Sequence, residues 1–211
     1  MSNFGIIGKE NTQSSATGNQ GIFNPTDVYK LTIDKKYGFT NAAYQLLSVT
    51  ELSGSSTSIT GFGGYGQYLI FGSGITVSED AKLQFRISTD GGATYNSGAS
   101  DYDFTHRELN DQGTIATTKD TGEDEVHIGT SSEGTQPTDF VMECHHFDDG
   151  DSELESAGLI EYAKCDVNGT VRDMGFTHWF YNSTGVVGGI QFLPTAGTFS
   201  GGSIHIYGVT I

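Results

Sequence analysis

Cationic side chains are scarce in this 211-residue chain: 10 Lys and Arg stand against 26 Asp and Glu, for a formal charge of -16. Phosphate backbones are bound by Lys and Arg, so direct nucleic-acid binding is disfavoured. Proline is scarcer still, 3 residues against 30 glycines, so the turns must be made mostly by glycine. Cys144 and Cys165 are the 2 cysteines, too few for a disulfide framework. No apolar run approaches the roughly 18 residues a membrane helix needs. Met1-Ser2-Asn3-Phe4-Gly5 lacks the charged start of a signal peptide. The expectation is a chain made in a cytosol that does not insert into a membrane. Helical periodicity is also missing beyond about residue 40.

What the chain has instead is alternation and glycine-rich turns. In Phe85-Arg86-Ile87-Ser88 the apolar side chains point one way and the polar ones the other, the period of a half-buried strand. Thr89-Asp90-Gly91-Gly92-Ala93-Thr94-Tyr95 follows. There Asp90 can fold its carboxylate onto nearby backbone N–H groups, the glycines can take positive φ, and Thr94 and Tyr95 begin a return strand. Strands are expected at 44–52, 59–62, 68–71, 81–89, 102–107, 113–118, 125–129, 139–147, 159–167, 171–180, 188–193 and 202–211. Such spacing is that of an all-β sandwich or barrel. Turns are expected at Gly72-Ser73-Gly74, Val167-Asn168-Gly169-Thr170 and Ser200-Gly201-Gly202. The last strand alternates cleanly, which places it inside the sheet, and removing residues 202–211 should abolish folding.

Residues 1–37 read differently. The first twenty are small and polar, an extended arm without a core. After them Ile22, Phe23, Val28, Tyr29 and Leu31 are too apolar for a free tail and too few to fold alone, so they are candidates for anchoring. Completing the core of the following domain is the alternative. Residues 38–211 form one β-sandwich domain.

Between Asp101 and Glu161 there are 17 acids against Arg107 and Lys119. This region is either a solvated acidic face or a site for divalent cations or a basic partner. Metal ligation would fall on His146, Asp148, Asp149 and Asp151. However, neighbouring His145 and His146 point to opposite faces of a strand, and the acids lack the register of a calcium loop. No metal and no cofactor is therefore expected. Cys144 and Cys165 sit on consecutive strands, close enough in register to be neighbours, as buried thiols or a late disulfide. His106, His127, His178 and His205 read as sheet-surface or interface residues. Gly61-Phe62-Gly63-Gly64-Tyr65-Gly66 reads as a loop with aromatic anchors. No nucleophile–base constellation, phosphate loop or dinucleotide fingerprint is present, so no enzyme is expected.

Two resemblances bear on function. Ser88-x-Asp90-x-Gly92-x-Thr94-Tyr95 resembles the Asp-box of sialidases and other β-propeller proteins, a structural turn repeated on several blades. Here it occurs once, and Ser88 replaces the proline of the sialidase signature, so the turn is taken as structural and the enzyme is rejected. Three further stretches resemble virion structural proteins of tailed bacteriophages: Gly21 to Leu31, Phe85 to Tyr102, and Gly188 to Phe192 with Gly201 to Gly208. That resemblance implies a jelly-roll-like antiparallel sandwich, commonly trimeric, that decorates a head or belongs to a fibre. It also implies a place in the virion beside capsid or tail proteins. A receptor- or carbohydrate-binding role on host-surface glycans is the alternative, with Tyr65, Tyr95, Tyr102 and Trp179 as the candidate sugar contacts.

Overall fold

In a computed structural model of the chain the described residues are 44–109, 113–129, 137–147, 155–165 and 172–209. They form twelve strands and no helix: β1 (Tyr44–Glu51), β2 (Thr57–Thr60), β3 (Gln67–Val77), β4 (Leu83–Ser88), β5 (Tyr102–Leu109), β6 (Ile115–Glu123), β7 (Val126–His127), β8 (Thr138–His145), β9 (Glu155–Cys165), β10 (Arg172–Thr184), β11 (Gly189–Pro194) and β12 (Phe199–Val209). Each overlaps one of the twelve expected stretches. The sheet body falls in the second of two units, Tyr44–Ile211. The anchoring candidates Ile22, Phe23, Val28, Tyr29 and Leu31 lie outside the described residues.

Two antiparallel sheets result, ordered β1-β12-β3-β8-β9-β10-β5-β6 and β2-β11-β4-β7. Their logic is clearest with β5, β6, β9 and β10 set aside. Of the eight strands left, the first pairs with the last (β1 with β12) and the second with the seventh (β2 with β11). The third pairs with the sixth (β3 with β8) and the fourth with the fifth (β4 with β7). That is one long antiparallel ribbon rolled up on itself, closed sideways by β12 on β3 and β11 on β4. The fold is a jelly roll. Hairpins β5–β6 and β9–β10 are insertions into it, and both extend the same sheet past β8, taking it to eight strands.

The two glycine clusters expected as turns lie inside strands. Gly72-Ser73-Gly74 is within β3 and Ser200-Gly201-Gly202 within β12, and the β3–β12 register shifts there. Gly74 and Gly202 have φ of 59° and 104°, so each supplies the left-handed residue of a bulge. Two facing bulges bend the ribbon and do not reverse it. The Asn168-Gly169 turn lies outside the described residues.

Side chains between the sheets form the core. Ile70, Met142, Ile160 and Trp179 from the long sheet meet Phe85, Ile87, Ile190 and Phe192 from the short one, all fully buried. Trp179 stands edge-on to Phe85 at 5.2 Å between ring centroids. Its cross-strand partner is Gly158. A Cβ added there would come within 2.8 Å of the indole nitrogen, so glycine makes room for the indole.

Candidate docking face

Alternation gives the long sheet two faces, and the second one is unusually apolar. In β10 the inward residues are Thr177, Trp179 and Tyr181, all buried. The outward ones include Met174, Phe176 and Phe180, which are 52 %, 36 % and 49 % exposed. The register carries these residues across the sheet. One outward row runs His205, Phe71, Val141, Glu161, Phe176 and Arg107. The next runs Asp139, Ala163, Met174, Leu109 and Ile115. Between them lies an open hollow of about 1010 Å³ reaching seven strands, from Tyr207 on β12 to Ile115 on β6. Inward-pointing Gly72, Phe140, Tyr162, Gly175 and Glu108 occupy the row between, so main chain floors the hollow. At the far end, β1 continues the apolar face with exposed Tyr44, Leu46 and Val49.

A sheet of this length with one face on a core would be expected to carry polar side chains on the other. Charge is present but sparse: Asp139, Glu161 and Arg107 line the hollow. An apolar, concave surface spanning most of a sheet is a place for another protein surface to rest.

Behind the hollow, on the inward side of β5, β9 and β10, a polar cluster is buried. His106 Nδ1 is 2.9 Å from Thr177 Oγ1, and its Nε2 is 3.1 Å from Glu108 Oε2. The Tyr162 hydroxyl donates to Glu108 Oε2 at 2.7 Å, and its ring stacks on the imidazole. His106 is only 1 % exposed, so the expectation of a surface histidine there is corrected: inward alternation at an even position of β5 puts it in the interior. The cluster ties three strands together under the apolar face.

The turn after β4 is built as expected from its own side chains. Ser88 Oγ donates to Asp90 Oδ1 at 2.7 Å and accepts the Gly92 N–H at 2.8 Å. The Thr94 N–H and hydroxyl both donate to the Asp90 carboxylate, at 2.9 and 2.6 Å. Gly91 and Gly92 have φ of 76° and 94°. The return strand, however, does not form. Asn96 caps the end of β4 by donating its N–H to Ile87 O, and the chain crosses to β5 in the other sheet. The Thr94 hydroxyl, the Thr94 N–H and the Ser88 hydroxyl hold the Asp90 carboxyl well below the ordinary carboxylate range. The folded chain then binds fewer protons than the unfolded one, so this stabilisation is complete above about pH 4 and fades as pH falls below it. Thermal melts of Asp90→Asn should show a lower midpoint than wild type at pH 7, with the gap narrowing at pH 3.

Of the four aromatic residues proposed for sugars, two are in the core. Trp179 and Tyr102 are 0 % exposed. The Tyr102 hydroxyl is taken up by the Ile87 N–H and Asn96 O. These two assignments are corrected: strand alternation turns both side chains inward. Tyr65 is half-buried, its ring lying on Gly208 and its hydroxyl donating to Gln45 Oε1 at 2.6 Å. That is the anchoring expected of its loop, together with Phe62 packed on Tyr68 and Phe147. Tyr95 is half-buried, with its hydroxyl 3.3 Å from where a Cβ of Gly189 would stand.

No group of three or more His, Cys, Asp and Glu suited to a metal occurs among the described residues. Asp148, Asp149 and Asp151 lie outside them. His146 is exposed and adopts φ of 62° where β8 ends. The two cysteines are not neighbours. Cys144 pairs with Gly158 while Lys164 pairs with Thr138, so Cys165 is at the opposite end of the β8–β9 hairpin. Six to seven residues of strand is about 20 Å, far beyond disulfide reach. Cys144 is a free, fully buried thiol, held well above the ordinary thiol range by burial and then by the Glu143 charge.

Sequence reasoning singles out Trp179, Phe180 and Tyr181 as aromatics for an oligomer to bury, and of these only Phe180 is on the apolar outer face, whose extent it does not show. The signal of that face was available in Met174-Gly175-Phe176-Thr177-His178-Trp179-Phe180-Tyr181, where large apolar residues fall on both parities of one strand. Compared with known proteins, the chain matches no family profile and no curated relative.

Proposed function

We propose that this chain is a structural subunit of a tailed-bacteriophage virion, a non-enzymatic decoration or fibre component whose jelly roll is displayed on a capsid or tail. The observation that carries the reading is the exposed apolar side chains on the outward face of the long sheet, among them Met174, Phe176 and Phe180. Burying a side chain such as Phe176 or Met174 is worth roughly 1.5–3 kcal/mol when complete, and several are available side by side. A chain that leaves them in water gains little from them alone. The three stretches that resemble phage structural proteins supply the setting, and segment 1–37 supplies an anchor built on Ile22, Phe23, Val28, Tyr29 and Leu31. The chain is made in the host cytoplasm and ends in the particle, as a homo-oligomer with a trimer favoured.

A glycan-binding role has less support, since Trp179 and Tyr102 are unavailable to stack on sugars and Tyr65 is pinned to its own sheet. The test is particle association. Intact chain mixed with particles lacking it should co-sediment with them. Chain lacking residues 1–37 should remain folded, because both sheets and the core they enclose are built from the described residues, from Tyr44 onward, and should stay in the supernatant. Co-sedimentation of that truncate contradicts the anchor, and failure of the intact chain to associate contradicts the virion reading.

A further inference from the structure

The long sheet stops at two strands that each have one neighbour among the described residues, β1 beside β12 and β6 beside β5. Such edges present a row of unpaired N–H and C=O groups, and soluble proteins blunt them with charge, proline or short strands. Here each edge has a single bulge, at Leu47 of β1 and Gly122 of β6, and long stretches without charge beside it. β1 and β6 are eight and nine residues long, without proline. β1 carries one charged residue, Glu51. Ile115-Ala116-Thr117-Thr118 of β6 carries none, within a region that holds 17 acids. Its charges, Lys119, Asp120 and Glu123, all fall in its second half. β6 is also exposed on both faces from Ile115 to Lys119.

We infer that copies of this chain join edge to edge, β6 of one against β1 of the next, so that the long sheet continues from subunit to subunit around a closed ring. Every neighbouring pair in the sheet is antiparallel, and seven such steps separate the two edges. The two edge strands therefore run in opposite directions, and a copy that continues the sheet brings β1 antiparallel to β6. The outward rows then stay on one side, with exposed Val49 and Leu46 of one chain beside Ile115 and Thr117 of the other. Pairing β1 with β1, or β6 with β6, would leave the other edge bare. A single kind of contact satisfies both edges only when it is head-to-tail, and such an arrangement closes into a ring when the rotation between copies permits. The inference stands on the edges alone and does not depend on the particle being viral.

Full-length chains in a Cys165→Ser background test it, with a short bismaleimide as the probe. Val49 and Thr117 are exposed, so cysteine at either leaves the core untouched. The two strands of one chain are seven spacings apart, about 33 Å along the sheet, out of the reagent's reach. The variant carrying both Val49→Cys and Thr117→Cys should cross-link into a ladder ending at a discrete ring, while each single variant gives none. Thr117→Lys should reduce the sedimenting mass to that of one chain while the chain still melts cooperatively. Dimers from either single variant would overturn the head-to-tail pairing. So would an uncross-linked double variant, or a wild-type chain that sediments as a monomer.

Discussion

Chains that end at Gly201 should not fold. The segment lost, Gly202 to Ile211, contains most of β12, which is the second strand of the long sheet and pairs on both sides. Its removal deletes the ladder from Ser203 to Val209 against β1 and against β3. β1 then has no neighbour left among the described strands, and β3 becomes an edge. Ile204 and Ile206, 0 % and 2 % exposed, leave the core with it. Two buried isoleucines alone represent several kcal/mol, of the order of a domain's whole stability. Circular dichroism and a thermal scan decide the matter. The expected result is a chain without a cooperative transition, and a soluble truncate that melts cooperatively contradicts the placement of β12.

Replacing Trp179 by alanine should be the most damaging single substitution. The indole is fully buried against Phe85 and Phe147 and over Gly158. Truncating a buried tryptophan costs about 3–5 kcal/mol, a fall in midpoint of roughly 6–20 °C for a domain of this size. Phe180→Ala, one residue along and 49 % exposed, should change stability by no more than about 0.5 kcal/mol. The contrast tests register directly, since a one-residue slip of β10 would exchange the two outcomes. Equal effects from both would mean that the faces of β10 are assigned wrongly.

The strands were legible because alternation and glycine turns mark them locally, as Phe85-Arg86-Ile87-Ser88 does. The jelly roll came from a resemblance, not from alternation, which says nothing of which strands pair. Glycine misled twice, at Gly72-Ser73-Gly74 and Ser200-Gly201-Gly202. The same positive φ serves a turn and a bulge, and only the facing strand decides between them. The self-bonded turn at Ser88, Asp90 and Thr94 was readable because all its partners lie within seven residues. Its exit was not, because Asn96 and Tyr102 cap β4 through contacts that spacing does not reveal. Residue type alone suggests surface aromatics at Trp179 and Tyr102, although their parity within β10 and β5 places them inward. Cys144 and Cys165 looked adjacent because hairpin register cannot be counted without knowing the turn.

The central claim is that the outward face of the long sheet is covered in the working assembly. Hydroxyl-radical footprinting at Met174 and Phe176 addresses it most directly, comparing chains assembled into particles with chains kept apart by Thr117→Lys and deletion of residues 1–37. Strong protection of both side chains in the assembled form is the predicted result. Equal oxidation of Met174 and Phe176 in the two forms would contradict it.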